Sequence, residues 1–117
     1  MRALGIHHVA IAVTDLDDAF DFYEGALGFM RRHDRPDLQV AGAWLDAGPG
    51  QQIHLVQGER AAYVGQHFAV LVEDLDATVT ELRQKGLSVS DPVGIGRALQ
   101  SFVSDPSGNL VELHQPA

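Results

Sequence analysis

Two stretches of this chain read almost alike. Residues 8–17 are HVAIAVTDLD, and residues 67–76, which begin 59 positions further on, are HFAVLVEDLD. A second match sets Ile53-His54-Leu55 over Val111-Glu112-Leu113, 58 positions further on. Self-similarity of this kind indicates that the chain repeats one structural unit. The change of offset by one residue fits a loop that is one residue shorter in the second copy.

Each copy is predicted to contain one helix among several strands. Apolar, β-branched runs at 6–13 and 67–72 are typical of strands, and an Asp that can cap a helix follows each run, Asp15 or Asp74. Apolar side chains at helical spacing come next and end at a glycine in both copies. Short runs bounded by turn residues predict the later strands, near 40–45, 52–57 and 109–115.

These elements predict an α+β fold of two tandem βαβββ modules. We place module one at about residues 5–60 and module two at about 64–115. A chain of 117 residues is long enough for one hydrophobic core, so we expect a single domain over residues 1–117. The sheet of one module has an apolar face that needs cover, and pairing the modules would supply it.

Composition narrows the possible partners. The formal net charge of −8 at pH 7 disfavours nucleic acids and anionic membranes, because both attract basic surfaces. No apolar run approaches the roughly 20 residues of a membrane span, and the first five residues are too short for a secretory signal. We therefore expect a cytoplasmic protein that binds neither nucleic acid nor membranes.

Metal-binding residue types occupy the repeated positions. His8 and His67 open the first predicted strand of each copy, while His54 and Glu112 occupy matching places in the last strand. The chain has no cysteine, so imidazole and carboxylate are the strong ligands available to a divalent transition metal. A lone histidine is usually an ordinary surface residue. Four ligand-type residues at duplicated positions instead predict one shared metal site.

The repeat is embedded in a wider set of motifs. These are HVAI at 8–11 with Asp15-Leu16, then Phe22-Tyr23, Leu27-Gly28-Phe29, His67 with Asp74-Leu75, and DPSGNLVEL at 105–113. With them the whole chain resembles the vicinal oxygen chelate superfamily, which includes glyoxalase I, methylmalonyl-CoA epimerase, fosfomycin-resistance enzymes, extradiol dioxygenases and bleomycin-binding proteins.

The resemblance implies that the curled mixed sheets of the two modules form a metal-binding cup. His8, His54, His67 and Glu112 match the four ligand positions of the family, and the divalent ion would be Zn, Ni, Fe or Mn. Family members of this length are usually dimers, so we expect a homodimer with sites shared between subunits. The implied activity is that of a glyoxalase-type isomerase or lyase, which chelates two adjacent oxygens of a small substrate through the metal.

Position 54 departs from glyoxalase I, which carries a carboxylate where this chain has His54. Glu112 is the first candidate to carry the substrate proton, because a carboxylate can leave the metal, and His54 is the second, as a ligand or a free base. His8, His67 and Glu112 also match the ligands of extradiol dioxygenases, the alternative enzyme. A drug- or metabolite-binding protein of the bleomycin-resistance kind is the alternative without catalysis. The chain ends five residues after Glu112 and so lacks the basic tail with which the fosfomycin transferases hold phosphonate. We therefore do not expect that activity.

Three further residues are candidates for substrate binding. Arg97 could hold a substrate carboxylate through two hydrogen bonds, or could be a solvated loop residue. Gln100 lies just after it, in the segment before the last predicted hairpin. Trp44, the only tryptophan, could line the pocket or fill the core.

The remaining histidines are expected outside the site. His7 and His114 lie beside the repeated pattern, and we expect their side chains to point to the other face of each sheet. His33 lies in the polar stretch 31–35 and should be a solvated loop residue. We therefore expect ordinary surface or core histidines at these three positions.

Overall fold

The computed structural model describes all 117 residues and divides them into two compact units, Met1–Ala61 and Ala62–Ala117. The first contains β1 (His8–Val13), α1 (Leu16–Phe20), β2 (Met30–Arg31), β3 (Gly42–Gly48) and β4 (Gln51–Gln57). The second contains β5 (Phe68–Leu71), α2 (Leu75–Gln84), β6 (Val93–Ile95), β7 (Ala98–Ser104) and β8 (Leu110–Gln115). The predicted α+β class with two βαβββ modules is confirmed.

Each unit has one mixed four-stranded sheet, and the two sheets have the same topology. The strand order is β1-β4-β3-β2 in the first and β5-β8-β7-β6 in the second. β1 pairs with β4, and β5 with β8, in parallel, whereas all other pairs are antiparallel. The first and last strands of each module are therefore neighbours, which brings the repeated polar residues of that module together.

The helix of each unit starts at the predicted aspartate. Asp15 Oδ1 accepts a hydrogen bond from the backbone N–H of Asp18 at 3.0 Å, and Asp74 Oδ1 accepts one from Ala77 at 3.0 Å. Both caps have extended backbone angles, as N-cap residues do. The strand-to-helix junctions of the two modules are thus built alike.

The first helix differs from the expected continuous α-helix. After Phe20 the chain continues as a π-helical segment, Asp21–Ala26, in which the N–H of Leu27 donates to the carbonyl of Phe22 at 3.0 Å. The wider turn buries two adjacent aromatic side chains, Phe22 and Tyr23, with their rings edge to face. Apolar periodicity does not separate a π turn from an α turn over so few residues.

The apolar face of each sheet forms the core of its unit. In β4, Ile53 and Leu55 are buried, and in β8 Val111 and Leu113 are buried at the equivalent places. Residues between them on each strand point to the opposite face, because side chains alternate along a strand. This opposite face, which we call the polar face of each sheet, carries His54 in the first unit and Glu112 in the second.

Strand ends shift by a few residues from their predicted bounds. β1 begins at His8, so Ile6, the first residue of the predicted run, lies outside the strand, and β3 begins at Gly42, two residues after Val40. His67 precedes β5 by one residue. None of the helices is long and apolar enough to span a membrane.

Candidate functional site

The polar face of the first sheet brings His8 and His54 into contact. The parallel register sets Ala10 opposite His54, so His8 lies diagonally across from it on the same face. The two imidazole rings stack with centroids 3.8 Å apart and planes 13° apart. Within this unit, the two residues predicted from the repeat therefore form a pair.

His54 is enclosed on both sides. Trp44 is its register partner on β3, and the indole stacks on the His54 ring with centroids 4.5 Å apart. His54 Nε2 makes a 2.8 Å hydrogen bond to Gln52 Oε1, and the residue is only 8% exposed. Burial is the main reason that the pKa of His54 lies below its usual range, and positive charge on His8, His7, Arg32 and Arg35 lowers it further.

The stacked rings limit how this pair could bind a metal. A divalent ion lies about 2.1 Å from an imidazole nitrogen, close to the plane of the ring. Two stacked rings whose centroids lie 3.8 Å apart and whose planes differ by only 13° cannot both have one ion in their plane. One ion could bind both His8 and His54 only after one ring had turned about its side-chain torsions.

The polar face of the second sheet brings His67 and Glu112 together. Ala69 is the register partner of Glu112, so His67 lies diagonally across from it, as His8 does from His54. His67 Nε2 lies 3.1 Å from Glu112 Oε1, and His67 Nδ1 lies 3.0 Å from the carbonyl oxygen of Gly65. The Glu112 side chain is 12% exposed.

The hydrogen bond from His67 to Gly65 determines which imidazole nitrogen must carry a proton. A carbonyl oxygen only accepts, so Nδ1 of His67 must carry a proton. In the neutral imidazole, Nε2 then has an unshared electron pair that faces an acceptor oxygen of Glu112. Two acceptors in contact need a cation between them, either a proton or a metal ion. The donor set of His67 and Glu112 therefore fits a divalent metal.

His114 and His7 lie closer to the candidate ligands than expected. His114 Nδ1 is 2.9 Å from Glu112 Oε2, so the prediction that His114 faces the other side of the sheet is wrong. Residues 112 and 114 are two positions apart on β8 and therefore share a face. His7, expected on the other face, has its Nδ1 2.9 Å from Nδ1 of His8. His33 is an exposed loop residue, as predicted.

The predicted substrate-binding residues occupy different places. Trp44 is half-buried against His54 and is not part of the core. Gln100 is the register partner of His114 and lies on the polar face of the second sheet. Arg97 is exposed in the turn between β6 and β7, beyond the end of β8. The structure therefore does not bring Arg97 to Glu112.

Gln52 and His114 are the residues that the sequence reasoning missed. Each lies two positions from the repeated polar residue of its strand and hydrogen-bonds to it. Period-two spacing from His54 and Glu112 would have found both. The structure gathers no group of three or more His, Asp or Glu side chains in an arrangement that could hold a metal ion. Convergence of all four ligands on one ion stays a prediction.

In each βαβββ module, a polar residue at or just before the start of the first strand lies beside a polar residue of the last strand. The sequence pattern of the glyoxalase/bleomycin resistance protein/dioxygenase superfamily matches residues 5–113. The chain belongs to this superfamily.

Named relatives cover the chain almost completely. Lactoylglutathione lyase GLX1 of Arabidopsis thaliana is 32% identical in an alignment that covers 92% of this chain and 43% of the plant protein. This chain thus spans less than half the length of that relative. Lactoylglutathione lyase of Haemophilus influenzae is 31% identical over 92% of this chain and 89% of its own length.

Solved structures agree on the fold. TnmS3, an antibiotic binding protein from Streptomyces sp. CB03234, is 26% identical and superposes with a TM-score of 0.84 over 100% of this chain and 99% of its own. A glyoxalase family protein from Enterococcus faecalis is 27% identical, with a TM-score of 0.76 over 95% of this chain and 97% of its own. The neighbours therefore include proteins named for binding as well as proteins named after an enzyme family.

Proposed function

We propose that this protein is a metal-dependent lyase or isomerase of the glyoxalase type, acting on a small substrate with two adjacent oxygens. The observation that carries the proposal is the His67–Glu112 pair, in which Nε2 of the imidazole lies 3.1 Å from a carboxylate oxygen while Nδ1 is held by the carbonyl of Gly65. The relatives named lactoylglutathione lyase support the lyase class. The proposed ligands are His8, His54, His67 and Glu112, and the proposed ions are Zn, Ni, Fe and Mn.

Each candidate residue would have its own role in metal binding or proton transfer. When bound, a divalent ion would stabilise the negative charge that develops on two adjacent substrate oxygens. Glu112 would accept the substrate proton at a carboxylate oxygen, and its low exposure would keep bulk water from competing for that proton. His54 would be the fourth ligand or a second base. Gln52 and the stacked rings of His8 and Trp44 hold its imidazole in place.

We further infer that the protein is a cytosolic homodimer with metal sites shared between the two copies. Large apolar side chains remain exposed on the second module, including Leu71 at 74%, Val93 at 56% and Ile95 at 52%. Leu71 is the register partner of His114 and lies on the polar face of the sheet. Apolar residues on the face that carries the candidate ligands support cover by a second copy of the chain.

The experiment combines metal content with turnover. Protein purified without added metal is analysed for bound ions, then assayed with the hemithioacetal of methylglyoxal and glutathione after separate loading with Ni²⁺, Zn²⁺, Mn²⁺ and Fe²⁺. His8→Ala, His67→Ala and Glu112→Ala should each lose most of the metal while staying folded. His54→Ala should lose less, and His33→Ala in the exposed loop should lose none.

Turnover by the wild type should be poor or undetectable, because an imidazole stands where glyoxalase I has a carboxylate. His54→Glu should raise metal-dependent turnover, since a positioned general base contributes typically 10²–10⁴-fold. Full metal content in all three ligand variants would refute the site. A metal-loaded His54→Glu protein without any turnover would refute the claim that position 54 is what separates this chain from glyoxalase I. Efficient wild-type turnover would show that His54 serves in place of the carboxylate.

The second candidate is a non-catalytic binding protein, which two observations favour. TnmS3, the neighbour with a TM-score of 0.84, is described as an antibiotic binding protein. The rings of His8, His54 and Trp44 form an aromatic stack on which a flat ligand could pack. Calorimetry that finds binding of a planar aromatic compound to metal-free protein, together with no metal in the purified protein, would favour this candidate over the enzyme.

A further inference from the structure

The Glu112 carboxylate has an imidazole nitrogen beside each of its two oxygens. His67 Nε2 lies 3.1 Å from Oε1, and His114 Nδ1 lies 2.9 Å from Oε2. The two imidazoles reach it from different strands, since His67 directly precedes β5 whereas His114 lies on β8 two residues after Glu112. A carboxylate with only 12% of its side chain exposed has few other partners in solvent.

The direction of the second hydrogen bond follows from the chemistry of the groups. An ionised carboxylate only accepts, so His114 must donate from Nδ1. This holds for the neutral imidazole protonated at Nδ1 and equally for the charged ring, so the contact needs no particular charge on His114. The hydrogen bond occupies Oε2 and leaves Oε1 facing Nε2 of His67.

The first module contains a matching contact. His54, the counterpart of Glu112 in the repeat, is hydrogen-bonded by Gln52, which lies two residues before it on the same strand. The position in module one that corresponds to His114 is Val56, which has no hydrogen-bonding side chain. The two modules therefore hold the last-strand residue by different side chains, each placed on the polar face by period-two spacing.

We propose that His114 is the positioning residue of Glu112, holding Oε2 so that Oε1 stays directed at the metal-binding side of the pair. The inference rests on the proposed function for Glu112 as a ligand and proton carrier. A glutamate has three side-chain torsions, and a second hydrogen bond removes rotation of the carboxylate that would otherwise compete with metal binding. Loss of such a partner typically weakens metal affinity about 10- to 100-fold.

The test compares replacement side chains whose donating nitrogen lies at different distances from the backbone. The amide nitrogen of Asn can replace Nδ1 of a histidine, whereas that of Gln lies about one bond further out. Zn²⁺ affinity is measured by competition with a chelator for the wild type, His114→Ala, His114→Asn and His114→Gln. We expect about 10- to 100-fold weaker binding in His114→Ala, substantial recovery in His114→Asn and little recovery in His114→Gln. His33→Ala should leave the affinity unchanged.

Two additional measurements separate this inference from the proposed function. Glu112→Ala tests the ligand itself: if it abolishes Zn²⁺ binding while all three His114 variants bind like wild type, the ligand stands and the positioning role is overturned. If His114→Asn lost metal as completely as Glu112→Ala, His114 would itself be a ligand. That result would also overturn the positioning role. Nitrogen-15 spectra of metal-free protein should find His114 protonated at Nδ1, and an unprotonated Nδ1 would refute the contact even if no metal binds.

Discussion

Side chains two residues apart on one strand determine the local chemistry of both sheets. His54 with Gln52, and Glu112 with His114, form such pairs on the polar face of their sheets. The residues between them point the other way into the core, where a polar group has no solvent to bond. Ser101 is the exception on that apolar side: it is fully buried, and its hydroxyl has no hydrogen-bond partner.

Replacement of Ser101 by Ala should stabilise the protein. An unpaired buried hydroxyl costs about 1–3 kcal/mol relative to a paired one, and removal of the oxygen leaves only a small cavity. We expect Ser101→Ala to raise the free energy of unfolding by up to about 1 kcal/mol in urea denaturation. Ser104→Ala, on the same strand but exposed, is the control and should change it by less than about 0.5 kcal/mol. A clear loss of stability in Ser101→Ala alone would mean that the hydroxyl has a partner in solution.

At the scale of elements, the close approach of β3 and β4 depends on a glycine. Gly42 is the first residue of β3, and a Cβ atom there would collide with the backbone carbonyl oxygen of Leu55. It would also come within 3.0 Å of the guanidinium of Arg35, whose Nη2 donates to the carbonyl of Val40. A backbone atom cannot move aside without disturbing the β3–β4 pairing, which positions Trp44 against His54.

Gly42→Ala should therefore destabilise the first sheet. Overpacking against backbone typically costs about 1–3 kcal/mol, and we expect a loss of that size in the free energy of unfolding. Gly94→Ala in β6 is the matched control, because a Cβ there meets nothing within 4 Å. Urea denaturation of both variants checks the prediction, and the dependence of the unfolding free energy on urea concentration should be unchanged. Equal stability of the two variants would show that the strands can separate at Gly42 without cost.

At the scale of the whole molecule, the proposed homodimer can be tested directly. We expect light scattering to give twice the chain mass at micromolar concentration. Leu71→Glu should shift the protein toward monomer, because it places a charge on an exposed apolar position beside the candidate ligands. Leu4→Glu, in the exposed segment before β1, should leave the mass unchanged. A wild type that is only monomeric and still binds metal would require all ligands to come from one chain.

Much of the fold, and the pairing of candidate residues within each module, could be predicted from the sequence. The repeat predicts two βαβββ modules, and the two aspartates predict the helix starts, because these features depend on residues that are close in the chain. In the repeat, His8 corresponds to His67 and His54 corresponds to Glu112. Each module is therefore predicted to contain one pair of candidate ligands. Parallel pairing of first and last strands then brings each pair into contact.

Only the tertiary structure decided what surrounds those pairs. The stack of His54 between His8 and Trp44 depends on the register of three strands, and the hydrogen bonds of Gln52 and His114 depend on side-chain rotamers. A sequence pattern records spacing along the chain and carries no information on ring orientation or on which oxygen of a carboxylate is held. Packing of the whole sheet determines both, because each side chain adopts the rotamer that its cross-strand neighbours allow.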